Sequence, residues 1–71
     1  MAENSYTAKL MKDRDLLVAK LLEEADEVAT AYSKENLRWE LGDLTYFMSV
    51  LAVVEGLEWQ DVLSQLSGRH R

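Results

Sequence analysis

Residues 36–55 read NLRWELGDLTYFMSVLAVVE, a stretch without Pro that carries apolar residues in every turn. Projected at 100° per residue, Leu37, Leu41, Leu44, Phe47, Met48, Leu51 and Val54 form one arc, which Trp39, Tyr46, Val50 and Val53 extend most of the way around. Only Arg38, Gly42, Thr45 and Ser49 leave a narrow polar strip. A helix that is apolar on nearly every side must be covered on nearly every side, and a 71-residue protomer is too small to do that alone. The expectation is that this helix forms the core of a dimer.

Outward from that stretch, Ser33 caps the helix, with Asn36 as a second candidate, and the helix runs from about Asn36 to Glu55. Gly56 supplies the left-handed residue that ends it. Glu58 to Leu66 then reads as a short third helix that Gly68 stops. Upstream, Asp13 or Asp15 caps a helix reaching about Tyr32, with Leu17, Val18, Leu21, Leu22, Ala25, Val28, Ala29 and Tyr32 on one broad stripe. Twelve Leu and seven Ala against no Ile, with three Gly and no Pro, favour helix over sheet throughout. The expected fold is all-α: a helical hairpin of about Asp15–Tyr32 and Asn36–Glu55 plus a short C-terminal helix, one domain over residues 1–71, dimerising into a four-helix-bundle core.

Composition narrows the function. With no Cys there is no disulfide framework and no thiolate metal site, so a cytoplasmic location is expected. The apolar run Tyr46–Val54 is far short of the ~20 residues that cross a bilayer, and MAENSYTAKL has no apolar signal core, so no membrane partner is expected. A net charge of −5 repels nucleic acid and anionic membranes. A phosphate-bearing ligand must therefore arrive with a metal or meet a local Lys/Arg cluster.

Glu40 and Asp43 fall inside the apolar arc, flanked by Leu37, Leu44, Phe47 and Leu51. Burying unpaired carboxylates on adjacent turns costs several kcal/mol, so something positive must meet them. Either Lys20 or Arg38 pairs with them, or a cation binds. The preceding helix carries Glu23, Glu24 and Glu27, and Glu24 and Glu27 share a face. An ExxE on one helix and an ExxD on the next, joined by a tight turn, bring four carboxylates to one locus. With only His70 besides, and that in a terminal RHR expected to be exposed, the donors are all oxygen and select Mg²⁺, with Mn²⁺ as a substitute, over Zn²⁺. Hard metal on carboxylates is the usual apparatus of phosphoanhydride hydrolysis. Lys20, one turn before Glu24, either pairs with that carboxylate or reaches a phosphate. A Gly-rich phosphate loop and a Ser/His/Asp set are both absent, and Trp39 and Trp59 read as packing residues.

Ser5-Tyr6-Thr7-Ala8-Lys9-Leu10, Lys20, Glu23-Glu24-Ala25-Asp26-Glu27-Val28 and Glu40-Leu41-Gly42-Asp43-Leu44-Thr45-Tyr46-Phe47 together resemble the phosphoribosyl-ATP pyrophosphohydrolases of histidine biosynthesis. Gly56 with Asp61-Val62-Leu63 is similar to that family's closing turn and short helix. The acidic motifs alone mark only the wider MazG-like all-α NTP pyrophosphohydrolase superfamily; SYTAKL narrows it. The resemblance implies Mg²⁺-dependent hydrolysis of the α–β phosphoanhydride of phosphoribosyl-ATP, a small-molecule nucleotide substrate, to phosphoribosyl-AMP and pyrophosphate. It implies Glu24, Glu27, Glu40 and Asp43 as metal ligands, Glu23 as an outer carboxylate or general base alongside Glu24, Lys9 and Lys20 as phosphate contacts, and a homodimer or higher homo-oligomer. Leu22 stands where many members have Gly, and Phe47 where His is frequent, a form similar to the multifunctional fungal enzymes. Only four residues precede Ser5, where members carry a further N-terminal helix. Two other readings stand beside this one: a MazG-like enzyme acting on (deoxy)nucleoside triphosphates, and a non-catalytic helical dimerisation module whose acids pair with Lys and Arg.

Overall fold

A computed structural model describes residues 2–69, with side chains from 6 to 68; His70 lies outside the described residues. Four helices follow in order: α1 (Ala2–Lys12), α2 (Arg14–Ala29), α3 (Lys34–Val54) and α4 (Trp59–Arg69). The all-α expectation holds. No described helix is long and apolar enough to cross a membrane.

Helix α1 has no counterpart in the expected hairpin and C-terminal helix: the SYTAKL segment is itself helical. Its sequence is only weakly amphipathic, and its order comes from docking. Leu10 is 0% exposed and joins Leu17, Phe47 and Val50 in the core, with Leu16, Leu21, Leu51 and Val54 packed against them. Tyr6 stacks on Tyr46, meets the Phe47 ring edge-on, and the Thr7 hydroxyl hydrogen-bonds the Tyr46 hydroxyl.

Asp13 separates α1 from α2. Its backbone leaves the helical region, its N–H donates to the Leu10 carbonyl, and its Oδ1 accepts from the Leu16 N–H at 3.1 Å. Of the two expected caps, Asp13 is therefore the one used. Helix α2 stops at Ala29, short of the expected Tyr32; Thr30 is its C-cap residue, with N–H and hydroxyl both donated to the Asp26 carbonyl, and the next N–H, of Ala31, turns to the Val28 carbonyl. Tyr32 consequently lies in the turn, 86% exposed, rather than on the apolar stripe.

Ser33 caps α3 by accepting from the Asn36 N–H at 3.0 Å, so the helix starts at Lys34, two residues before the expected Asn36. At its far end Gly56 has φ +74°, the Leu57 N–H bonds the Ala52 carbonyl at 2.8 Å, and the Gly56 N–H bonds the Val53 carbonyl. This paired closure is a Schellman motif, and Gly56 is the left-handed residue expected to end the helix. Helix α4 begins where Asp61 Oδ2 accepts from the Glu58 N–H, and Trp59 pins it to α3 by donating from Nε1 to Ser49 Oγ at 3.0 Å. Gly68 lies within α4 and does not stop it. A single internal glycine costs about 1 kcal/mol, too little to end a helix by itself.

The hairpin is antiparallel. Arg14 at the start of α2 pairs with Glu55 at the end of α3, N–O 3.0 Å, while Glu24 late in α2 meets Glu40 early in α3. Several residues expected in the core face outward in the protomer, among them Leu22 at 63% and Trp39 at 67% exposed, because α1 and α2 cover only one side of α3.

Candidate metal centre

Helix periodicity builds this site. Glu40 and Asp43 are three apart on α3, so both project to one face, and the four-residue turn 30–33 folds α2 back so that Glu24 meets them. One oxygen from each of Glu24, Glu40 and Asp43 lies within 4.8 Å of the others. Glu24 is 9% exposed and is the buried charged residue of the described core. Its Oε1 and the Oε1 of Glu40 are both buried with no hydrogen-bond partner. A buried carboxylate oxygen left in this state is costly unless a cation or donor comes to it.

No cation of the described chain does so. The ion pairs among the described residues are Arg14–Glu55 and Lys20–Glu23, and neither reaches the cluster. The alternative in which Lys20 or Arg38 pairs with the buried acids is not seen among the described residues. Lys20 is turned to Glu23 at 3.0 Å, one helical turn along the same face, and the Glu23 hydrogen bond and charge raise its pKa. Glu23, engaged by Lys20, stays outside the group of three. Lys9 is exposed on α1 and forms no ion pair among the described residues.

Burial raises the pKa of Glu24 above the ordinary carboxylate range, with the charges of Glu27 and Asp43 and the proximity of Glu40 adding to it. Glu27, one turn beyond, is also raised, chiefly by the negative charge of Glu40 and then by desolvation. Glu27 thus senses the cluster from its margin. An acid whose folded pKa is raised contributes stability below its unfolded pKa of 4.5, and that contribution is lost as pH rises through the folded value. Melting in EDTA is therefore expected to show Glu24 and Glu27 adding stability as pH falls from 7 towards 4.5, with a smaller gain in Glu24→Gln. An equal pH dependence in that variant would contradict the assignment.

Sequence reasoning saw Asn36 only as a capping candidate. Its Nδ2 donates to Glu40 Oε2 at 3.3 Å. The signal was present as the i, i+4 spacing of an amide and a carboxylate, which gives contact on a helix surface. The donor set around the cluster is entirely carboxylate oxygen, the chemistry that suits Mg²⁺ or Mn²⁺. Two apolar cavities, of about 260 Å³ beside α4 and about 170 Å³ beside α1, are lined by none of these acids.

Against this geometry, the profile of the phosphoribosyl-ATP pyrophosphohydrolase family matches residues 1–70. The chain belongs to that family. It is 45% identical over 69 residues to the histidine biosynthesis bifunctional protein his7 of Schizosaccharomyces pombe, covering 97% of this chain and 16% of that protein. It is 43% identical over 75 residues to the histidine biosynthesis bifunctional protein HisIE of Thermotoga maritima, covering 100% of this chain and 38% of that one. To the histidine biosynthesis trifunctional protein of Kluyveromyces lactis it is 43% identical over 68 residues, 96% of this chain and 9% of the relative. The chain thus spans well under half the length of these relatives. No solved structure matches it.

Proposed function

We propose that this domain hydrolyses the α–β phosphoanhydride of phosphoribosyl-ATP, releasing phosphoribosyl-AMP and pyrophosphate, as a cytoplasmic step of histidine biosynthesis. The observation that carries the reading is the pair of buried, unpartnered oxygens on Glu24 and Glu40, set between two helices in a chain of this family. Glu24, Glu40 and Asp43 would hold Mg²⁺, with Glu27 completing the set. When bound, such an ion neutralises phosphate charge and lowers the pKa of coordinated water.

The chain's own residues have separate tasks. Glu24 and Glu40 orient oxygen donors from a mostly dry floor, while exposed Asp43 holds the side open to the substrate. Glu23 is the carboxylate available to take the proton of the attacking water; Lys20 lies 3.0 Å from it. Water adds its oxygen to one phosphorus, the bridging oxygen leaves with the other phosphate, and the released proton passes to the carboxylate.

Lys20, and Lys9 from α1, would offer positive charge to the phosphates. Because a flexible ammonium attracts more than it positions, Lys20→Ala is expected to raise KM more than it lowers kcat. A large loss of kcat at constant KM would assign Lys20 to the transition state instead. The outward faces of Leu22, Trp39, Val53 and Leu63 support a homodimer in which a second copy covers them. Sedimentation is expected to give a dimer at micromolar concentration; a well-folded monomer would refute that assembly.

The deciding experiment is pyrophosphate release from phosphoribosyl-ATP in Mg²⁺ and in EDTA, with a panel of ribo- and deoxyribonucleoside triphosphates alongside. Release confined to phosphoribosyl-ATP and Mg²⁺ is expected. Preferential turnover of plain triphosphates would transfer the site to a MazG-like substrate, and no turnover at all would leave a helical module.

A further inference from the structure

We propose that Asn36 is a positioning residue that restricts Glu40 to ligation through a single oxygen, and thereby sets a preference for Mg²⁺ over Ca²⁺. The inference rests on the carboxylate cluster binding a divalent ion, as argued above. Asn36 stands at the third position of α3, partly buried, with its own N–H donated to the capping Ser33 hydroxyl at 3.0 Å. Its side chain makes two further contacts of opposite polarity. The Oδ1 accepts from the Tyr32 N–H at 3.4 Å, and the Nδ2 donates to Glu40 Oε2 at 3.3 Å.

These two partners fix the amide's orientation. A backbone N–H only donates and an ionised carboxylate only accepts, so a flipped amide would lose both bonds. The interhelix turn is thereby tied, through one side chain, to a particular oxygen of Glu40. The other oxygen, Oε1, is the one that remains buried and unpartnered, as does Oε1 of Glu24. A carboxylate with one oxygen held in a hydrogen bond and the other free presents one donor to a cation.

That distinction matters to the ion. Mg²⁺ demands near-octahedral geometry at about 2.0–2.1 Å and takes carboxylates one oxygen at a time, keeping several waters. Ca²⁺ accepts six to eight oxygens and readily takes both from one carboxylate. Releasing Glu40 from Asn36 frees Oε2 to turn towards the ion. Ca²⁺ gains from that freedom, and Mg²⁺ loses a pre-set donor.

The test is calorimetric titration of the full chain with MgCl₂ and with CaCl₂ separately, for wild type, Asn36→Ala and the near-isosteric Asn36→Leu. Loss of an orienting partner of a ligand weakens metal binding about 10–100-fold, so Mg²⁺ affinity is expected to fall at least tenfold. Ca²⁺ affinity is expected to stay within about threefold or to rise, so that the ratio of the two dissociation constants shifts roughly tenfold or more. A general loosening of α3 would weaken both ions together and leave the ratio unmoved, which would overturn the proposal. So would loss of helical circular dichroism in EDTA by both variants, since Asn36 would then be a structural cap. Wild type that binds neither ion would overturn the metal site itself, whereas wild type and variants binding Mg²⁺ equally would overturn only the role of Asn36.

Discussion

Glu40→Gln and Asp43→Asn are expected to lower phosphoribosyl-ATP hydrolysis by at least about 10²-fold while leaving the metal-free protein as stable as wild type, or more so. Glu24, Glu40 and Asp43 crowd their oxygens within 4.8 Å, and no Lys or Arg of the described residues comes to them. The raised pKa values of Glu24, chiefly from burial, and of Glu27, chiefly from the charge of Glu40, express the same strain. Neutralising one member relieves repulsion and simultaneously removes a donor. A buried ion pair would behave in the opposite way, since deleting one partner strands the other and costs about 3–5 kcal/mol. Thermal melts in EDTA and in millimolar Mg²⁺ separate the two. Ion at a hundredfold excess over its dissociation constant stabilises by about 2.7 kcal/mol, and each kcal/mol moves the melting temperature of a domain this size by roughly 4–8 °C. Wild type is expected to show that gain and the variants much less of it. A wild-type melting temperature indifferent to Mg²⁺, with variants melting far lower in EDTA, would sink the metal centre and the hydrolytic mechanism together.

What could be read from sequence divides by the range of the physics involved. Glu40 and Asp43 betrayed themselves because 3.6-residue periodicity alone sets them among Leu37, Leu44 and Phe47. Ser33 and Gly56 were legible for a similar reason: a cap hydroxyl and a left-handed glycine act on residues within one turn of themselves. Tyr32 misled because its apolar ring fits the α2 stripe, whereas α2 ends at Ala29 and the following residues already turn towards the Ser33 cap of α3. Leu22 misled differently. The stripe on α2 is broader than the surface α1 and α3 offer it, so its edge remains outside in the protomer. The i, i+4 spacing places Asn36 beside Glu40, but its second contact, to the Tyr32 N–H in the turn, is not given by helix periodicity, and α1 needed partners some 39 residues away, as the Thr7–Tyr46 bond illustrates.

That distant dependence makes α1 a place where a single truncation does large damage. Leu10→Ala is expected to cost about 2–5 kcal/mol, the range for removing a buried Leu from a packed core. The full stability of a domain this small is only about 4–11 kcal/mol, at roughly 0.05–0.15 kcal/mol per residue, so the variant should lose a large fraction of it. Met11→Ala, the adjacent residue at 44% exposure, should cost no more than about 1 kcal/mol and serves as the control for helix propensity and surface effects. Function should follow stability in this case, unlike at Glu40. Leu10 lies in the same cluster as Phe47, one turn beyond Asp43 on α3, and Tyr6 of α1 covers Tyr46 and Phe47. Loosening α1 therefore frees the segment of α3 that aims Asp43 into the site, and Mg²⁺ should rescue Leu10→Ala in part by binding the folded form. Denaturant unfolding of both variants, followed by helical circular dichroism, measures the difference directly. Equal midpoints for Leu10→Ala and Met11→Ala would mean that α1 is not docked through Leu10, and the support it lends to the acidic face of α3 would fall with it.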